Sequence, residues 1–313
     1  MPLDEFALIR RFFSPPATRA DVRLGVGDDA AVLAPAPGHE IVVTTDTLLA
    51  GVHFPGDLAA DAVGHRALAV NLSDIAAMGA APCWATLALS LPSVEEPWLA
   101  AFAKGFLALA DDFEVALVGG DTVKGPLGIT VQLIGQVPAG AALTRSGARP
   151  GDAVMISGPL GLAAAALQLR AAGRPVPEAA AARFDRPSPR IAQGLALRGR
   201  ASACIDVSDG LSSDLGHILT ASHCGATLDV EKLAAVAPRE AFSGEEALHL
   251  ALDGGDDYEL CFTCAPETAA RLSGDPALGG CRPLGVIENR AGLRLRQPDG
   301  RCEDYRGHGY SHF

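Results

Sequence analysis

Two rhythms of apolar residues alternate along the chain. Residues 2–14 carry helical spacing, and the breaker SPPATRAD follows them. IVVTTDTLLAG (41–51) is β-branched and apolar, which predicts a strand ending near Thr44, Thr45 and Asp46. Residues 57–80 return to helical spacing over a length that calls for a break around Asn71 to Asp74. A strand at 83–92, a helix at 97–113, a short apolar run VALVGGD at 115–121 and a strand at 128–137 complete this half. Pro138 to Pro150 has no periodic face, which predicts a domain boundary there. Beyond it come a strand and turn (151–161), an Ala-rich helix, a strand turning into a helix whose start lies near Ser208 to Ser212, and a turn entering a strand (254–265).

A chain of 313 residues supports two such αβ halves, taken here as 1–138 and 150–313. With 49% apolar and 20% charged residues it has the composition of a folded protein, which excludes disorder. A net charge of -12 repels phosphate backbones and anionic lipid, so neither nucleic acid nor a membrane is an expected partner. The N-terminal stretch has no uninterrupted apolar run of the secretory kind, and seven scattered cysteines, an odd number, fit reduced thiols; both readings point to the cytoplasm. Cys261 and Cys264 sit three apart in a strand-like segment, on opposite faces, which argues against a shared metal or redox role.

Charge becomes informative through position. Carboxylates recur beside Gly, Ser or Thr in GVGDDAA (Asp28, Asp29), TTDT (Asp46), NLSD (Asp74), GGDT (Asp121), IDVSDG (Asp206, Asp209) and GGDDYE (Asp256, Asp257). Any one of these can be a turn or cap residue. Six together are harder to explain so, and Asp74 falls inside a helical pattern. Gathered carboxylates raise one another's pKa unless hard cations neutralise them. Oxygen donors without a His/Cys cluster select Mg²⁺, and magnesium held by one or two carboxylates completes its shell with water and phosphate oxygens. Phosphoryl transfer is the chemistry that follows. Neither a G-x-x-x-x-G-K-[ST] loop nor the H-R-D and D-F-G elements of protein kinases are present.

GVGDDAAV, TTDTLLAGVHF, NLSDIAAMGA, GGDTVKG, LTRSGARPGD, IDVSDGLSSDLGHI, GGDDYELCFT and the terminal GYSHF occur in this order from Asp28 to the C-terminus. Together they resemble the thiamine-monophosphate kinase family, within the superfamily of aminoimidazole ribonucleotide synthetase. The resemblance implies an α+β fold of two αβ domains. The N-terminal mixed-sheet domain would pair in a homodimer, and a C-terminal αβ sandwich-like domain would complete a cleft for ATP and several Mg²⁺ ions. It implies metal ligation by Asp29, Thr44, Thr45, Asp46, Asp74, Asp121, Asp206 and Asp209. Nucleotide contacts would come from Gly120, Asp121, Arg145 and Ser208, and contacts to thiamine monophosphate from His53, Asp256 and Tyr310. Asp46, Asp74, Asp121, Asp209 and Arg145 would carry catalysis. Two departures stand out: the family usually reads GGED where this chain has GGDD, leaving Asp256 one methylene shorter, and an aromatic near the nucleotide is replaced around Lys104.

Other roles stand beside these: His53 as a turn histidine, Arg145 as a partner of Asp152, Tyr310 as an anchor of the tail. The expected reaction is direct in-line transfer from ATP to thiamine monophosphate, giving thiamine diphosphate. A phosphate monoester has a second pKa of ~6 and needs no general base at neutral pH. The alternatives are another ATP-dependent superfamily activity such as aminoimidazole ribonucleotide synthesis, and a non-catalytic divalent-cation-binding protein. No D-x-[DN]-x-[DN]-G-x₅-E loop supports the latter.

Overall fold

The computed structural model describes residues 5–14, 19–273, 275, 278, 280–307 and 309. Two compact units emerge, one from Met1–Ile75 and Ala80–Gly140, the other from Ala76–Gly79 and Ala141–Phe313. The first contains α1 (Glu5–Phe12), β1 (Val22–Leu24), β2 (Val32–Leu33), β3 (His39–Leu49), most of α2 (Ala60–Ala77), β4 (Ala81–Leu91), α3 (Glu96–Asp112), β5 (Ala116–Lys124) and β6 (Gly128–Pro138). Its main sheet runs β3-β6-β4-β5 and is mixed: β4 and β5 are parallel, the other neighbours antiparallel.

Alternation along the strands gives this sheet two unlike faces. Leu87, Leu89, Ile129, Val131 and Leu133 are buried on one, whereas Ile41, Val43, Leu49 and Val123 stand exposed on the other. β3 does not end at Thr44 to Asp46 as expected. It pairs with β6 without interruption from His39↔Pro138 to Leu49↔Gly128, so the acidic motif lies inside a strand. α2 is likewise unbroken. The polar residues that predict a break find partners without one: Asn71 Nδ2 donates to Ala67 O one turn back (3.1 Å), and Asn71 Oδ1 accepts from the Asp46 N–H (3.2 Å). The run at 115–121 is the front of β5, which continues through Asp121 to Lys124.

The second unit contains β7 (Ala153–Ile156), α4 (Leu162–Ala171), α5 (Glu178–Asp185), α6 (Ile191–Leu197), β8 (Ala203–Asp206), α7 (Leu211–Ala221), β9 (Gly225–Asp229), α8 (Val230–Ala234), α9 (Gly244–Asp253), β10 (Leu260–Cys264), α10 (Pro266–Leu272), β11 (Arg282–Glu288), β12 (Gly292–Arg296) and β13 (Cys302–Tyr305). Its sheet runs β13-β12-β9-β11-β7-β10-β8, with β12 and β9 the parallel pair. The apolar stripe of α7, Leu211, Leu215, Ile218 and Leu219, packs in one core with Val154, Ile156, Ile205 and Leu228. Glu259 is fully buried beside this sheet and takes ion pairs from Arg183 and Arg190, each at 2.5 Å, and the Ser157 hydroxyl. Both units are mixed sheets with helices, the α+β class the sequence leads one to expect.

All seven cysteines are free thiols. Burial pushes Cys261 well up, and Cys264 up to about 12, so neither offers a thiolate.

Candidate active site

In the first unit the acidic residues meet where β3 faces α2. Thr44 and Asp46 point to the same side of β3, two residues apart, and Asp74 projects from the last turn of α2, three residues past Asn71. The Thr44 hydroxyl donates to Asp74 Oδ2, and Asp46 shares a hydrogen bond with Asp74. Burial, the charge of Asp74 and that hydrogen bond push Asp46 up to about 7, so without a cation one proton is held between the two carboxyls near neutrality. Among the described residues no three His, Cys, Asp or Glu side chains gather into a metal cage. The donors present fit Mg²⁺ all the same: two carboxylates and a hydroxyl form an oxygen-only set that water and phosphate would complete, and a hard cation would relieve the repulsion that raises Asp46.

The remaining residues of this unit are placed differently. Thr45 points to the exposed face of β3. Asp121 is exposed on β5, and its register with Ala88 of β4, which pairs with Thr130 of β6 and so lies level with Thr47, puts it on that same face, away from Asp46. Gly120 has φ +155, and a Cβ there would lie 1.9 Å from Leu87 O. The glycine therefore answers first to the close approach of β4 and β5. Asp29 is exposed, and its N–H donates to Asp28 Oδ1 at 2.8 Å, which makes Asp28 a turn residue. His53 follows β3, where its Nδ1 accepts from the Leu49 N–H at 3.0 Å. That bond closes the turn and leaves Nε2 as the protonated nitrogen, an N–H donor.

In the second unit four motifs converge at the end of β8. Asp206, 5% exposed, is its last residue, and Ser208 and Asp209 form the turn into α7. The GGDD turn docks on this one. Asp256 N donates to Ser208 O (2.8 Å), and a Cβ on Gly255 would lie 2.4 Å from the same oxygen, so only glycine allows the approach. Asp256 has φ +67, a conformation that Asp adopts more readily than most side chains, and its carboxylate accepts from Tyr258 Oη at 2.9 Å. Thr144 O accepts from Cys204 N, which ties the LTRSG segment to β8. Arg145 is exposed, and its charge reaches Asp214 of α7. It does not pair with Asp152, whose Oδ2 accepts from Arg149 N and Ser202 Oγ. Gly309 lies against Ser213 and the Asp209 carbonyl, bringing the tail to this turn. Tyr310 itself lies outside the described residues.

The chain as a whole is similar to known proteins. Residues 27–137 match the family model described as AIR synthase related protein, N-terminal domain, and residues 149–296 match its C-terminal domain. The chain is 45% identical to Thiamine-monophosphate kinase of Escherichia coli (strain K12) over an alignment covering 100% of this chain and 99% of that one. The chain belongs to the thiamine-monophosphate kinase family. Among solved structures, family member Thiamine-monophosphate kinase from Stenotrophomonas maltophilia K279a is 45% identical, with a TM-score of 0.86 over 96% of this chain and 98% of that one. AaThiL complexed with AMPPCP and TMP is 30% identical, with a TM-score of 0.78 over 100% and 99%.

Sequence reasoning passed over one residue that touches this turn, Asp214, whose Oδ2 accepts from the backbone N–H groups of Ser208 and Asp209. Its only signal is an acid in the first turn of α7 with no side-chain cap before it. Lys104 is exposed on α3.

Proposed function

We propose that this protein is an ATP-dependent kinase that transfers the γ-phosphoryl group to thiamine monophosphate and releases thiamine diphosphate and ADP. The observation that carries this is full-length similarity to a thiamine-monophosphate kinase in a chain that holds the Asp46–Asp74 pair and the Ser208–Asp209 turn. The binding of AMPPCP and TMP by AaThiL supports the same pair of ligands here.

The acceptor is a phosphate monoester, mostly a dianion at pH 7, so no side chain has to remove a proton. The obstacle is the approach of two anions, and the work of the chain is positioning and charge neutralisation. Asp46 and Asp74, with Thr44, would hold Mg²⁺, and Asp206 and Asp209 would hold further ions; when bound, these ions neutralise the phosphate oxygens of ATP. Asp29, Thr45 and Asp121 are further candidate ligands. Gly120 and Ser208 would contact the nucleotide, and Arg145 would take up charge that develops on the transferred group. Nε2–H of His53 would donate to thiamine monophosphate, with Asp256 and Tyr310 as the other contacts.

We also propose that the protein is a homodimer of cytoplasmic location. Ile41, Val43, Leu49 and Val123 form an exposed apolar row on one sheet face, and a second copy of the same face is a self-complementary cover for it. Free thiols fit a reducing compartment, and no helix of the described residues is long and apolar enough to cross a membrane.

A coupled ADP-release assay over a panel of acceptors tests the function. Turnover is expected with thiamine monophosphate and magnesium and not with thiamine or in EDTA. ADP release that ignores the acceptor would overturn the proposal.

A further inference from the structure

Asp214 is the fourth residue of α7, a place where an acid ordinarily faces water and complements the helix dipole. Here it is 3% exposed and turned back under the turn that precedes the helix. One oxygen, Oδ2, accepts from the backbone N–H groups of both Ser208 and Asp209, each at 3.0 Å. The residue before the helix, Gly210, has φ +111 and no side chain with which to cap these donors. The Ser208 carbonyl is taken from the other side by Asp256 N. The peptide planes of Ser208 and Asp209 are therefore held from below by Asp214 and from above by the GGDD turn. A buried carboxylate placed beside Asp209 is electrostatically costly, and a capping role for α7 alone does not require one. Its geometry is accounted for by the need of two adjacent N–H groups for one buried acceptor.

We infer that Asp214 is a positioning residue: by accepting from Ser208 N and Asp209 N it sets the turn so that the Ser208 hydroxyl and the Asp209 carboxylate point together at the phosphates of a magnesium–nucleotide complex. It touches neither nucleotide nor metal itself. This rests on the nucleotide-binding part of the function proposed above.

Two near-isosteric substitutions separate position from charge. Asp214→Asn keeps an acceptor oxygen at the same reach and removes the charge. Asp214→Glu keeps the charge and moves the oxygen by one methylene. The dissociation constant for AMPPCP with excess Mg²⁺ is read by isothermal titration on the full chain, beside melting of the ligand-free protein. D214N is expected to bind within about threefold of wild type, and D214E at least about tenfold more weakly, since both backbone bonds are lost or bent. In the kinase assay the D214E loss should appear in KM for ATP more than in KM for thiamine monophosphate. The reverse order, with D214E near wild type and D214N weak, would show that the charge matters and overturn the inference. Equal affinities with a lowered melting temperature in either variant would overturn it in favour of a structural acid. Wild-type protein that binds AMPPCP but does not phosphorylate thiamine monophosphate would refute the proposed reaction while leaving this ranking decisive.

Discussion

Replacing Asp46 by Asn should stabilise the metal-free protein at alkaline pH and cripple it as an enzyme. Asp46 is held at about 7 by burial, by the charge of Asp74 and by their hydrogen bond, against an unfolded value of 3.8. Its folded value is the raised one, so its contribution to stability is complete below about pH 4 and is lost as the pH climbs through 7. At 1.36 kcal/mol per pKa unit the full loss is about 4 kcal/mol. Asp46 keeps some access to solvent, so about half of that, ~2 kcal/mol, is the expected figure, or roughly 4–8 °C in melting temperature for a domain of this size. Asn can still donate to Asp74 but has no charge to repel it. Thermal unfolding in EDTA should therefore show D46N and wild type together near pH 4, with D46N higher by several degrees at pH 8. Magnesium with AMPPCP should raise wild type more than D46N, and kcat of D46N should fall by at least ~10². A melting difference that does not change between pH 4 and 8, or a D46N less stable at pH 8, would refute the coupling of the two carboxyls.

Val43→Lys places a charge at the centre of the exposed apolar row; light scattering should report dimer for wild type and monomer for the variant, and an equal mass for the two would remove that face from the interface. Glu259→Gln leaves Arg183 and Arg190 without their buried counter-ion, which should cost about 3–5 kcal/mol in urea unfolding; a loss under 1 kcal/mol would show that the arginines are satisfied elsewhere.

Local pattern decided a great deal here. β-Branched, apolar runs mark β3 and β6, the stripe Leu211, Leu215, Ile218, Leu219 marks α7, and the ordered acidic motifs carry the family, because each is written in residues close together in the chain. What alternation alone leaves open is which neighbour a strand meets. The β3-β6-β4-β5 order puts Asp121 level with Ala88, on the face opposite Asp46, although both read as acids beside small residues. The helix break expected at Asn71 is absent because the partners of that side chain, Ala67 O and Asp46 N, include one on another element. Asp214 is in sequence an ordinary first-turn acid; its burial under Ser208 and Asp209 arises only when α7 folds back on the turn that leads into it. The sequence by itself determined the fold class, the elements that carry the motifs and the chemical character of those motifs. Tertiary structure alone decided which carboxylates share one space and repel, since repulsion and desolvation depend on distance through space and not along the chain.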